Sequence, residues 1–285
     1  MYSSKNKRYF QIDHIVPISK GGLTVPENLQ LLTRWENAIK GDKVSFEFKA
    51  LEDIKELEEE YQEEAAFDCI INQDYDMALD IIKALLDKNP KSIQALNMKA
   101  KIELENEKYT NAIKIANQIL KIEKNQSDAL STKAHAYKLQ GKFEKAIELY
   151  EYINDISGKS DITYQYLGDC YYELKKYNIA ISQYHNAVDI NKNNYWANFR
   201  LGWIYSRNRR YEVSNEYYLN TLEIENECHA SLNNIGYNFF KLGEYEKAIE
   251  YYDKALQLNP DEQMYINNKK SATKELKKNK VKVRV

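Results

Sequence analysis

"ASLNNIGYNFFKLGEYEKAIEYYDKALQLNP", residues 230–260, carries the pattern that decides the fold. Within it Ala248, Tyr251, Tyr252 and Ala255 follow the three- and four-residue spacing of one helix face. Stepping back 34 residues at a time from Ala248 reaches Ser214, Ala180, Ala146, Ala112 and Ala78. Small residues held at one spacing without an insertion are the mark of a repeat. A second column keeps the step through Gly236, Gly202, Gly168, Ala134, Ala100 and Ala66. A third reads Phe239, Tyr205, Tyr171 and Tyr137.

Small side chains recur where two helices must approach closely. A bulkier one there overpacks by roughly 1–3 kcal/mol. A single helix pair cannot bury its own apolar face, so each unit must stack on its neighbours. The pattern resembles the tetratricopeptide repeat, a pair of antiparallel helices per unit. Six units follow, 59–92, 93–126, 127–160, 161–194, 195–228 and 229–262, beginning at Glu59, Ile93, Ser127, Asp161, Tyr195 and His229. The first is weaker, with Cys69 in the aromatic column, and 263–285 reads as a capping helix and basic tail. The resemblance implies a mainly α chain, an α-solenoid of helix hairpins whose concave face binds a peptide or protein.

In that family the groove is lined chiefly by the second, fifth, ninth and twelfth positions of each unit. These place Trp196, Phe199 and Trp203 there from the fifth unit, and Asn233, Tyr237 and Phe240 from the sixth. The variant that grips a C-terminal carboxylate uses Lys, Arg and Asn at such positions, and Gln165, Asp169, Phe199 and Trp203 do not match it. The expectation is an aromatic groove. The plainer alternative is that the rings fill the superhelix.

The first residues differ in kind. "FQIDHIVPISKGG", residues 10–22, is an alternating run with Asp13 and His14 at its centre and a glycine turn after it. Asn28 lies 14 residues beyond His14 in "ENLQLLT", a second alternating run. Asn37 lies nine further on in "RWENAIKGDK", a short helical stretch with a Thr33/Glu36 capping box and Gly41 as its stop. Strand, turn, strand, helix makes a ββα unit. From Gln11 to Lys43 it resembles the HNH endonuclease motif, and within that family the HNH domain of RNA-guided CRISPR nucleases. The reading is a ββα-metal module over 1–43, joined by a helical linker, 44–58.

The residue types suit phosphodiester hydrolysis. A neutral imidazole near pH 7 takes a proton from water, which makes His14 the candidate general base. A hard divalent ion, Mg²⁺ or else Mn²⁺, takes oxygen ligands of the kind Asp13 and Asn37 supply. The resemblance implies that Asn28 orients His14 or braces the loop, and that Lys40 reaches a phosphate. Lys20, Arg34 and Lys43 add positive charge around these residues. Neighbours on a regular strand point to opposite faces, so Asp13 and His14 share a site only where the strand is irregular or ending. Many relatives carry a zinc knuckle where this chain has Thr33 and Glu36, so structural zinc is not expected.

Charge divides the chain. Residues 1–45 hold seven Lys/Arg against four Asp/Glu, 268–285 hold eight against one, and the remainder holds 26 against 38, a balance of −12. Nucleic acid, with DNA the first candidate, should meet the basic ends. Cys69, Cys170 and Cys228 show no metal spacing and read as small core residues of a cytoplasmic protein. No membrane span or secretory signal is expected. Two functions follow: a metal-dependent endonuclease with a recruiting superhelix, or an interaction scaffold carrying a truncated or inactive HNH remnant.

Overall fold

The structure, a computed structural model, describes residues 10–14, 29–33 and 59–282. Two strands come first, β1 (Phe10–His14) and β2 (Leu29–Thr33). They pair antiparallel, with Phe10 opposite Thr33 and His14 opposite Leu29. The helix expected in 34–43 lies outside the described residues. The chain divides into two compact units, 1–140 and 141–285.

In the first unit the helices are α1 (Glu59–Ile71), α2 (Tyr75–Lys88), α3 (Ile93–Glu105), α4 (Tyr109–Ile122) and α5 (Ser127–Leu139). Each packs antiparallel on the next, and α1, α3 and α5 also touch in sequence. The second unit holds α6 (Phe143–Ser157), α7 (Asp161–Glu173), α8 (Tyr177–Ile190), α9 (Tyr195–Arg207) and α10 (Tyr211–Ile224). It continues with α11 (His229–Leu242), α12 (Tyr245–Leu258) and α13 (Gln263–Lys282). There α9, α11 and α13 form the corresponding row. The odd-numbered helices are called A helices below and the even-numbered ones B helices.

The columns of small residues explain the pairing. Ala78, Ala112, Ala146, Ala180, Ser214 and Ala248, all on B helices, are wholly buried. On the A helices, what fills the space opposite the second column changes with its size. A tyrosine sits 16 residues after each glycine: Tyr184 after Gly168, Tyr218 after Gly202, Tyr252 after Gly236. A β-carbon added to these glycines would lie 2.6, 2.9 and 2.8 Å from the respective ring. The three tyrosines are at most 1 % exposed, so the rings have nowhere to move. Burial pushes their phenols above the ordinary value. In the first unit, Ala66 shares a cluster with Ile82 and Ala100 shares one with Ala116. Where the column holds glycine, the ring takes up the space that its missing side chain leaves.

The turns inside the hairpins obey a second constraint. Gln73, Glu107, Gly141, Lys175, Arg209 and Gly243, spaced 34 apart, all have φ between 59° and 82°. The amide after the left-handed residue reaches back to the helix, as in Asp74 N to Cys69 O (2.9 Å) and Arg210 N to Tyr205 O (2.9 Å). This is the Schellman closure, which satisfies carbonyls left open at a helix end. Four of the six positions are not glycine, although the left-handed region costs an ordinary residue roughly 1–2 kcal/mol.

The crowded contact is testable. Gly168→Ala gains about 1 kcal/mol of helix propensity but overpacks against Tyr184 by roughly 1–3 kcal/mol. The expected outcome in urea denaturation is a net loss of stability. In a double-mutant cycle for Gly202→Ala and Tyr218→Leu, the pair should lose less than the sum of the singles.

Candidate functional site

The row of A helices in the second unit positions the ring-bearing residues. Helix α9 opens with Asn194 as its cap, whose side chain accepts from Ala197 N at 2.9 Å. The apolar side of the helix, with Ala197, Leu201 and Ile204, turns inward. That leaves Trp196 on the outside at 57 % exposure. Phe199 is half-buried, stacked on Tyr195 at 6.1 Å and edge-on to Tyr218 at 5.5 Å. Trp203 is also half-buried. It packs against the cluster around Tyr184 and Leu201, meets Tyr172 edge-on at 5.5 Å, and carries the Arg207 guanidinium 5.1 Å above its ring.

Helix α11 divides its three expected residues differently. Tyr237 is 40 % exposed, with the Lys241 ammonium 5.2 Å above its ring. Phe240 packs with Ala248, Tyr252 and Ala272. Asn233 is buried, and its Oδ1 accepts from Asn268 Nδ2 of α13 at 2.9 Å. Asn233 therefore fastens α13 to α11. Of the six side chains expected in the groove, Trp196 and Tyr237 are open to a ligand, Phe199 and Trp203 support them, and Asn233 and Phe240 belong to the packing.

Two exposed apolar residues extend this row. Ile162 (48 %) and Met264 (52 %) occupy the second position of α7 and α13, the position Trp196 holds on α9. The signal for both was present in the 34-residue step, but neither is aromatic. The charge nearby is mostly positive. Arg207 and Lys241 stack on rings, and Arg200 Nε meets Asp169 at 3.4 Å. Asp169 also accepts from the Tyr184 hydroxyl at 2.8 Å, so that carboxylate is already held from two sides.

Other polar groups in the repeats are structural. His185 Nε2 lies 2.9 Å from the Tyr205 hydroxyl, and His229 Nδ1 lies 2.7 Å from that of Tyr265. The three cysteines are free and buried, and burial pushes the Cys69 thiol up to about 11. Among the described residues no group of His, Cys, Asp and Glu could hold a metal, and no helix is long and apolar enough to cross a membrane.

For the N-terminal site, the backbone carries Asp13 and His14 on β1, opposite Gln30 and Leu29, and the strand ends at His14. Asn28, Asn37, Lys20, Arg34, Lys40 and Lys43 lie outside the described residues.

Comparison with known proteins agrees with the helix hairpins. Tetratricopeptide-repeat profiles match residues 229–262 and 72–129, and a profile for the anaphase-promoting complex (cyclosome) subunit 3 matches 105–187. A profile for HNH endonucleases matches 3–42. Residues 72–129 and 229–262 thus match the repeat family, and the described helices share its solenoid fold. Among solved structures, PilF of Pseudomonas aeruginosa superposes with a TM-score of 0.64 at 14% identity, over 77% of this chain and 98% of its own. YrrB, described as a tetratricopeptide-repeat protein with an unusual peptide-binding site, gives 0.52 at 18%, over 66% and 97%. The Cut9–Hcn1 assembly of the anaphase-promoting complex gives 0.57 at 15%, over 83% and 44%. These identities speak to fold alone. No curated protein matches the chain significantly.

The division between open and supporting rings has a direct readout. Trp196→Ala should change stability by no more than about 0.5 kcal/mol, as for other exposed sites, whereas Trp203→Ala should cost about 1–3 kcal/mol. Acrylamide should quench a fluorescence component that disappears in Trp196→Phe and persists in Trp203→Phe.

Proposed function

We propose that this chain is a protein-interaction scaffold whose second unit binds a peptide along its A-helix row. The observation that carries this reading is the run of exposed apolar side chains Ile162, Trp196, Tyr237 and Met264 on four successive A helices. Surface rings rimmed by charge mark interaction sites, and buried aromatic anchors dominate binding energy. With Arg207 and Lys241 lying on the rings and Asp169 already engaged, the fitting partner has bulky apolar side chains flanked by carboxylates. The fold shared with YrrB, a protein described as having a peptide-binding site, supports the same reading.

Peptides selected from a display library on the purified protein should be rich in large apolar and acidic residues. Combining Trp196→Ala with Tyr237→Ala should weaken them at least about ten-fold, the loss of a modest hot spot, with the helical signal intact. Selection of basic peptides, or binding indifferent to both substitutions, contradicts the reading.

A second reading concerns residues 3–42, where the HNH profile match and the antiparallel β1–β2 pair favour a nuclease module. In it His14 takes the proton of the attacking water, and Asn28 holds the imidazole or the loop. The Asp13 carboxylate and the Asn37 amide oxygen form a hard donor set that fits Mg²⁺ or Mn²⁺ and leaves coordination positions open. Such an ion, when bound, supplies charge stabilisation to the phosphate. Lys20, Arg34, Lys40 and Lys43 bring the phosphate backbone to the module.

Purified protein should cleave nucleic acid in Mg²⁺, and His14→Ala should slow it by roughly 10²–10⁴-fold. Asp13→Ala and Asn37→Ala should raise the Mg²⁺ concentration for half-maximal activity. Equal cleavage by wild type and His14→Ala would falsify the assignment and leave the scaffold carrying an inactive remnant.

A further inference from the structure

Helix α13 packs on α12 and α11 and carries a lysine-rich outer surface. Its inner side, with Tyr265 and Ala272, is buried against the preceding helices. Outward stand Lys269, Lys270, Lys274, Lys277 and Lys278, which rim an open groove of ≈ 720 Å³ beside α12. Two of these lysines are engaged, Lys269 with Asp253 and Lys278 Nζ with Glu275 at 2.6 Å. Lys270, Lys274 and Lys277 make no ion pair among the described residues. The flanking pairs thus occupy two neighbouring carboxylates and leave the middle three ammonium groups available.

Helix geometry sets those three in a line. At 3.6 residues per turn they fall within about 60° of one another, and at 1.5 Å per residue they span about 10 Å. A DNA strand carries one phosphate per about 3.4 Å of axis, so about 10 Å presents about three phosphates. Charge and spacing match. The sequence beyond Glu275 continues with Lys280, Lys282 and Arg284 and no further acid, while residues 46–267 hold 26 basic against 38 acidic side chains. A polyanion is therefore repelled along the repeats and attracted at this end. The groove is lined by lysine, leucine, isoleucine and threonine with no aromatic ring, which leaves nothing for a base to stack on.

We propose that the outer face of α13 binds the phosphate backbone of nucleic acid without regard to sequence, through Lys270, Lys274 and Lys277. The choice of nucleic acid among polyanions rests on the nuclease reading of residues 3–42; the lysine stripe does not. The face supplies affinity that a small N-terminal module lacks, and it holds the chain on its substrate independently of cleavage.

The test measures binding of the full-length protein to a fluorescein-labelled DNA duplex by anisotropy, in EDTA so that nothing is cut, between about 50 and 200 mM salt. Replacing the three residues together, Lys270→Gln, Lys274→Gln and Lys277→Gln, should lower the slope of log K against log salt by about 2.7, which is about 0.9 per lost contact. The corresponding triple Lys→Arg protein should keep the wild-type slope, and circular dichroism and melting curves that match the wild type exclude a folding defect. An unchanged slope in the Gln protein, or an equal loss in the Arg protein, overturns the proposal. So does a Gln protein that loses binding to phosphatidylserine vesicles while holding DNA as before, since the face would then be a membrane contact. If His14→Ala cleaves like wild type while the Gln protein shows the reduced slope, the nuclease reading fails and the stripe remains.

Discussion

In the second unit, a tyrosine ring laid directly on a glycine sets the distance between the two helices of each hairpin. Tyr184, Tyr218 and Tyr252 leave no room for a β-carbon at Gly168, Gly202 and Gly236. Interiors pack at crystal-like density, and each ring fills the space that a bare glycine leaves. In the first unit Ala66 shares a cluster with Ile82, and Ala100 shares one with Ala116. This contact decides which way each A helix presents its outer side, and so where Trp196 and Tyr237 stand. The exposure of these rings is a consequence of the packing beneath them.

Several buried positions are polar, and Asn238 centres a hydrogen-bonded network among them. Asn238 stands where the preceding repeats have Ile204 and Cys170, and it is fully buried. Its Nδ2 donates to Ser214 Oγ and to Asn215 Oδ1, both at 2.8 Å, and its Oδ1 accepts from Ser206 Oγ at 2.6 Å. Ser214 in turn donates to the Gly202 carbonyl at 2.6 Å, which explains a serine in a column of alanines. A satisfied buried network costs little, whereas losing one member strands the others. The network links α9, α10 and α11 by partners that only one register supplies.

Packing leaves some sides of the repeats uncovered. Exposed rings occupy the A-helix row, and α13 turns Lys270, Lys274 and Lys277 to solvent, a face charged with a single sign over these three. Near the start of the chain, Asp13 and His14 lie on β1, which stops at His14.

Much of the repeat architecture was legible in the sequence, because a 34-residue step repeats every demand of the packing and leaves its columns of small residues in plain view. The helix hairpins, the buried alanines and the exposure of Trp196 follow from periodicity. The fate of the other groove residues did not. Trp203 and Tyr237 share one repeat position, yet the first is half-buried and the second exposed, and the seating of α13, through Asn268, decides that Asn233 is a packing group. The left-handed turns were also hidden, since Gln73, Glu107, Lys175 and Arg209 carry no glycine to announce them. There the backbone conformation is imposed by closing one helix onto the next. Sequence determined what repeats with the chain. Tertiary structure decided what depends on a neighbour, because burial and ring accessibility at one repeat position are properties of whatever stacks against it.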